Sequence, residues 1–132
     1  MRKENILIVD DSLEMLEVLR RQLTALNFCT FQSTNVTDAI DILKTTEIDL
    51  LITDLQMPGL NGMLLVKYVS EHFPAMPTLV ITGFPSVSGA IEAMQTGVVD
   101  YLVKPFTQIE LKESVNKSFI NFRLNGFQEK IK

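Results

Sequence analysis

The sequence contains little cysteine, no tryptophan and no long apolar run. Its single cysteine, Cys29, excludes an internal disulfide and a cysteine-based metal cluster. No apolar stretch reaches the roughly 18 residues that a membrane span requires. Residues 1–4 lead into only a short apolar run, which is not typical of a secretory signal peptide. We therefore expect a cytoplasmic protein without a membrane partner.

An excess of positive charge is also missing. Lys and Arg number 12 against 16 Asp and Glu, which gives a formal net charge of −4. Because nucleic-acid-binding domains usually carry a basic patch, we expect no direct nucleic-acid binding by this segment. Hydrophobic residues make up 46% and charged residues 21%, so a disordered or low-complexity chain is excluded. The 132 residues correspond to one domain.

Short apolar runs alternate with amphipathic segments along this domain. The runs lie at residues 6–9, 28–31, 49–54, 78–82 and 98–103, the second being the most polar. Runs that are apolar on both faces are typical of parallel strands covered by helices. The segments between them have helical periodicity, beginning with Leu16, Leu19 and Leu23 after the candidate N-cap Ser12. Another stripe contains Ala90, Ile91 and Met94 and ends before Gly97. The pattern predicts an α/β fold of five βα units, a doubly wound (βα)5 parallel sheet with helices on both faces.

Polar residues follow four of the predicted strands. They are Asp10 and Asp11, Asp54, Thr82 and Lys104. Because ligands of open α/β sheets bind at the carboxyl ends of the strands, we expect these side chains to converge. Three carboxylates repel one another, and Lys104 compensates only one charge. Mg²⁺, for which Mn²⁺ can substitute, prefers such oxygen ligands.

Two interpretations of these aspartates are open from the residues alone. A single Asp at a strand end is often only a turn residue or a helix cap. Five polar residues at one edge favour a chemical site instead. There Asp54 is a carboxylate nucleophile able to carry an acyl phosphate, with lysine, hydroxyl and metal stabilising the transferred group.

The ordered motifs of residues 4–120 resemble the receiver domain of two-component response regulators. The matching segments are Asp10-Asp11, Asp54 to Gly59 with Gly62, Ile81 to Gly83, and Asp100 to Phe106. The resemblance implies the flavodoxin-like receiver fold. It also implies that the domain is no enzyme in the usual sense, since it catalyses only its own phosphorylation and dephosphorylation.

The resemblance further implies a role for each site residue. Asp54 accepts a phosphoryl group from a sensor histidine kinase or a phosphotransfer protein. Asp11, Asp54 and the backbone carbonyl of Gln56 bind Mg²⁺, and Asp10 acts mainly through a bound water. Lys104 pairs with Asp54 and then with the phosphoryl group, and the peptide bond before Pro105 is cis.

Output is implied to follow from a switch. Thr82 donates its hydroxyl to the phosphoryl group, and the rotamer of Tyr101 follows Thr82. The face of the fourth helix, fifth strand and fifth helix then controls an effector domain or downstream protein, with transcriptional control as the favoured output. A phosphorylation-dependent homodimer is a further expectation.

The domain is predicted to cover residues 1–120, followed by a helical extension or the start of a linker at 121–132. Ile120, Leu124, Phe127 and Ile131 continue an apolar stripe at spacings of 4, 3 and 4. The main alternative is a haloacid-dehalogenase-like phosphatase, but Gln56 stands where that family has a second acid. A flavodoxin-like cofactor binder and a receiver-like interaction module that is never phosphorylated are the others.

Overall fold

Five parallel strands form one sheet in the computed structural model, which describes residues 3–55 and 62–131, with side chains as far as residue 120. The strands are β1 (Asn5–Val9), β2 (Cys29–Ser33), β3 (Leu50–Thr53), β4 (Thr78–Thr82) and β5 (Asp100–Val103). Their order across the sheet is β2-β1-β3-β4-β5. The predicted doubly wound (βα)5 fold is therefore confirmed.

A helix follows each strand. The helices are α1 (Leu13–Ala25), α2 (Val36–Thr45), α3 (Gly62–His72), α4 (Val87–Gln95) and α5 (Gln108–Ile131). Ser12 caps α1 as predicted, because its side chain accepts a hydrogen bond from the backbone N–H of Met15. Asn35 and Ser86 cap α2 and α4 in the same way. Across the described part of the chain, none of these helices is both long and apolar enough to span a membrane.

Alternate strand residues bury two opposite layers of core. On one face, Ile8, Ile52 and Ile81 pack with the buried residues of α1 and α5. On the other face, Leu7 and Leu51 pack with α2 and α3. Strands buried on both faces explain why the sequence shows continuous apolar runs rather than alternation.

Helix α4 does not bury the stripe that its sequence predicts. Ile91 is 53% exposed and Met94 is 51% exposed, whereas Ala93 is fully buried. Ala93 packs against Val66 and Val80 in a third, smaller cluster. The periodicity correctly predicted a helix that ends before Gly97, whose φ of 101° is left-handed. The face that docks on the sheet was predicted wrongly, because the small Ala93 makes the close contact.

The second strand lies slightly later than its apolar run indicated. Asn27 has a φ of 73°, which turns the chain after α1. Phe28 then packs against the core beneath α1 and α5, so the strand begins only at Cys29. At the other end of the chain, α5 is continuous from Gln108 to Ile131. The division at residue 120 stays a prediction.

Candidate functional site

The strand register brings the two buried aspartates to the same level of the sheet. Val9 pairs with Thr53 across the β1–β3 ladder, so the residues that follow them leave neighbouring central strands together. Those residues are Asp10, 2% exposed, and Asp54, 5% exposed. With the exposed Asp11 they form one cluster, since a carboxylate oxygen from each lies within 4.8 Å of the others. The predicted convergence of the three aspartates is confirmed.

Lys104 bridges the two buried carboxylates from the end of β5. Its Nζ lies 2.6 Å from Asp10 Oδ2 and 3.0 Å from Asp54 Oδ2. Burial alone would lower the pKa of Lys104, but hydrogen bonds and Coulomb attraction from both carboxylates outweigh it, so the pKa is raised above its ordinary value. Lys104 is therefore a protonated donor at neutral pH. The peptide bond to Pro105 is cis, as expected.

Backbone contacts orient Asp10. Its N–H donates to the carbonyl of Ser33 at the end of β2, at 3.2 Å. Its Oδ1 accepts from the backbone N–H of Ser12 at 2.9 Å, while Oδ2 accepts from Lys104. Both carboxylate oxygens of Asp10 are thus engaged, one by the start of α1 and one by the lysine.

Backbone contacts also fix Asp54. Its N–H donates to the carbonyl of Val9 at 3.1 Å, which ties it to β1. Its carbonyl accepts from the buried Thr53 hydroxyl at 2.9 Å. Gly62, the first residue of α3, approaches so closely that a Cβ there would lie 2.0 Å from the same carbonyl oxygen. Only glycine fits at this position without a shift of the backbone.

Thr82 ends β4 beside this cluster and is fully buried. Its carbonyl accepts from the N–H of Lys104 at 2.8 Å, so the two residues are held side by side. Its hydroxyl oxygen accepts from the N–H of Phe84 at 3.2 Å, which uses a lone pair and not the hydroxyl proton. Gly83 leaves room here, because a Cβ would meet only the Lys104 side chain, at 3.6 Å.

Tyr101 lies on the same face of the sheet as Thr82 but one step along it. It pairs in register with Val80, whereas Thr82 pairs with Val103. Its half-buried ring packs on the cluster beneath α3 and α4 and borders a cavity of about 170 Å³ next to Met63 and Phe84. The structure thus places Tyr101 beside the site and not among the carboxylates.

The donor set fits a divalent cation. Three carboxylates with hard oxygen atoms face one lysine ammonium, which leaves the cluster about two negative charges in excess when all are ionised. The third protein ligand expected from the sequence, the carbonyl of Gln56, lies outside the described residues. The fit of Mg²⁺ therefore depends on Asp10, Asp11 and Asp54.

Thr53 and Gly62 carry structural roles at this site that the sequence analysis did not assign. The sequence does hold a signal for Thr53, a polar residue directly before Asp54 in an otherwise apolar run. The role of Gly62 depends on the approach of α3 to β3, which no local pattern reveals.

Residues 6–116 match the family model of the response regulator receiver domain. The chain belongs to this family. It is 39% identical over 124 residues to the chemotaxis protein CheY of Pseudomonas aeruginosa, covering 92% of this chain and 98% of CheY. It is 35% identical over 118 residues to the DNA-binding transcriptional regulator NtrC of Klebsiella pneumoniae, covering 88% of this chain but only 25% of NtrC.

The receiver domain also resembles solved receiver structures. A response regulator receiver protein from Pseudomonas putida superposes with a TM-score of 0.83 at 30% identity, over 89% of this chain and 98% of that one. The chain thus spans about a quarter of the first NtrC relatives and nearly all of CheY. These similarities favour a signalling receiver over the haloacid-dehalogenase-like phosphatase and the flavodoxin-like cofactor binder.

Proposed function

We propose that Asp54 is the phosphoacceptor of this receiver domain and that its phosphorylation switches a downstream partner. The observation that carries the proposal is the bridge from Lys104 to Asp54 and Asp10. A buried carboxylate beside a protonated lysine is a nucleophile with a cation ready for the incoming group.

The proposed reaction is a phosphoryl transfer from a phosphohistidine of a sensor kinase or phosphotransfer protein. A carboxylate oxygen of Asp54 forms a bond to phosphorus as the N–P bond breaks. The imidazole of the donor keeps the bonding electron pair and takes up a proton from solvent. The product is an acyl phosphate on Asp54, whose later hydrolysis by water returns the carboxylate and releases inorganic phosphate.

Lys104 and Thr82 stabilise the transferred group in this proposal. Lys104 exchanges one carboxylate contact for a phosphoryl oxygen, and the Thr82 hydroxyl donates its proton to another. Hydrogen bonds to charged groups contribute about 1.5–3 kcal/mol each, which is the scale needed to shift a conformational equilibrium.

Mg²⁺ is the proposed cofactor, and when bound it neutralises negative charge on the phosphoryl oxygens and the carboxylates. Asp11, Asp54 and the backbone carbonyl of Gln56 would bind it directly. Asp10, already bonded to Ser12 and Lys104, would act mainly through a water. Mn²⁺ is the expected substitute, since it also takes oxygen ligands.

The proposed output runs through Tyr101 to the surface formed by α4, β5 and α5. Inward movement of Thr82 would free space for the Tyr101 ring, which already borders a cavity. That surface carries exposed apolar side chains, among them Ile91, Met94 and Val103. We propose that it controls an effector domain, a downstream protein or a phosphorylation-dependent homodimer. Relatives named as transcriptional regulators favour transcriptional output.

A cytoplasmic location stays a prediction from the sequence, and so does the role of residues 121–132 as a helical extension or linker. The helical backbone of α5 as far as Ile131 is consistent with an extension. A receiver-like module that is never phosphorylated remains the second interpretation, and the experiment below separates the two.

The test is incubation with acetyl phosphate and Mg²⁺, followed by intact mass measurement. The expected result is a gain of one phosphoryl group in the wild type and none in Asp54→Asn. Asp41→Asn, which changes an exposed aspartate of α2, is the matched control and should gain the group normally. Gain in Asp54→Asn would refute the assignment, and no gain in the wild type with either this donor or a phosphorylated kinase domain would favour the passive module.

A further inference from the structure

We propose that Thr53 is a positioning residue for Asp54, holding the backbone of the phosphoacceptor through its side-chain hydroxyl. This inference rests on the proposed function and adds a residue to it. Thr53 touches neither the phosphoryl group nor the cation in this proposal. It acts only through Asp54.

Asp54 lies just beyond the support of the sheet on one side. The β3–β4 ladder ends with the pairing of Thr53 and Val80. The N–H of Asp54 still reaches β1, donating to Val9. Its carbonyl accepts instead from the Thr53 hydroxyl, at 2.9 Å in a buried setting. A buried carbonyl needs a donor, and here the preceding side chain supplies it.

Gly62 closes the opposite side of the same carbonyl. A Cβ at Gly62 would lie 2.0 Å from the Asp54 oxygen, which shows how tightly α3 approaches. The N–H of Gly62 in turn donates to the carbonyl of Leu55 at 3.0 Å. The peptide group after Asp54 is therefore held between a hydroxyl donor and a helix start, with little room to rotate.

The position of this peptide group sets the position of the carboxylate. Asp54 Oδ2 must stay 3.0 Å from Lys104 Nζ while its carboxylate remains within 4.8 Å of those of Asp10 and Asp11. A rotation of the backbone would swing the carboxylate away from both the lysine and the metal ligands. Misplacement by about 1 Å can slow an enzymatic reaction about a hundredfold.

Two substitutions separate the hydroxyl of Thr53 from its shape. Thr53→Val keeps the branched outline but removes the donor, which leaves the Asp54 carbonyl without it. Thr53→Ser keeps the hydroxyl but loses a methyl group. Thr78→Val is the matched control, because Thr78 is also a buried threonine of the sheet, at the opposite end of the strands.

The experiment measures the rate of phosphoryl gain from acetyl phosphate at saturating Mg²⁺, and the Mg²⁺ affinity by calorimetry. We expect Thr53→Val to react about tenfold more slowly and to bind Mg²⁺ more weakly, given the steep dependence of rate on geometry. Thr53→Ser should react within about twofold of wild type, and Thr78→Val should match wild type. If Thr53→Val does not fold, Thr53→Ala replaces it, since it differs from Thr53→Ser only by the hydroxyl.

Each outcome decides the inference. Wild-type rate and affinity in Thr53→Val would overturn it, and so would equal slowing in Thr53→Ser, because packing would then be responsible. If the wild type itself gains no phosphoryl group, the proposed function fails, and the inference is decided by Mg²⁺ affinity alone. Weaker Mg²⁺ binding in Thr53→Val but not in Thr53→Ser would then uphold the positioning role.

Discussion

The backbone N–H of Phe84 donates to the Thr82 hydroxyl oxygen at 3.2 Å. Thr82 is fully buried, whereas the Phe84 side chain is 70% exposed. One hydrogen bond therefore connects the interior of the site with the loop that leads into α4. Movement of the Thr82 hydroxyl toward a phosphoryl group would release the N–H of Phe84 and alter that loop.

Replacement of Thr82 by alanine should uncouple phosphorylation from α4. Asp54 would still accept the group, but no hydroxyl would draw the loop and Tyr101 inward. We expect the amide chemical shifts of α4 and β5 to change on phosphorylation in the wild type and to change much less in Thr82→Ala. Nuclear magnetic resonance with acetyl phosphate and Mg²⁺ measures this directly.

Thr82→Ser is the control, since it keeps the hydroxyl. Its phosphorylation-dependent shifts should resemble those of the wild type. Equal shifts in Thr82→Ala and the wild type would contradict the coupling role of the hydroxyl.

Replacement of Lys104 by methionine should affect phosphorylation and metal binding in opposite directions. Loss of the ammonium group removes a donor from the transferred group, and we expect phosphorylation about a hundredfold slower or worse. The same change removes a positive charge beside Asp10 and Asp54, so Mg²⁺ should bind more tightly. Mass spectrometry and calorimetry measure the two effects.

Asp10→Asn is the comparison for Lys104→Met, since it removes negative charge from the same cluster. It should weaken Mg²⁺ binding. Weaker Mg²⁺ binding in Lys104→Met as well would mean that the lysine organises the carboxylates more than it competes with the cation.

Substitution of Gly62 by alanine should destabilise the domain. The new Cβ collides with the backbone of Asp54 and Leu55, so α3 or the end of β3 must move. We expect a loss of about 1–3 kcal/mol in the free energy of unfolding, the usual cost of overpacking. Gly83→Ala, where the Cβ has ordinary contact distances, should be neutral or gain up to about 1 kcal/mol. Urea unfolding of both variants checks this, and equal stability would refute the clash.

The ion pairs on α1 should make stability depend on acid pH. Hydrogen bonds from Arg20 and then Arg21 lower the pKa of Glu17 from 4.5 to about 2. Because the pKa is lower in the folded state, the contribution is complete above pH 4.5 and is lost as the pH falls toward 2. Glu17→Gln should therefore be less stable than wild type at neutral pH, with a difference that shrinks on acidification.

Thermal unfolding of wild type and Glu17→Gln across this pH range measures the effect. The effect should be small, because these side chains are exposed, and it should decrease in high salt. A difference that grows as the pH falls would contradict the assignment.

Most of the fold could be predicted because the sheet is covered on both faces. Continuous apolar runs then mark the strands, and the residues after them mark one edge. The orientation of α4 could not be predicted in this way. Val87, Ile91 and Met94 are apolar yet exposed, and periodicity cannot show which of two apolar faces docks when the contact needs only the small Ala93.

The aspartates and Lys104 of the site were predictable because strand ends in a parallel sheet must meet. The contacts that hold them were not, since they involve the backbone. The bond from Ser12 N–H to Asp10 and the approach of Gly62 to Asp54 follow from chain geometry, which leaves little trace in residue type.

The bond between Lys104 and Asp10 joins residues 94 positions apart. During synthesis, the acidic residues therefore emerge long before the cation that bridges them. A chain that has not yet placed β5 at the edge of its sheet lacks the lysine that completes the cluster. Incomplete chains and folding intermediates without β5 would thus be silent in signalling, so that only fully assembled molecules receive and report a stimulus.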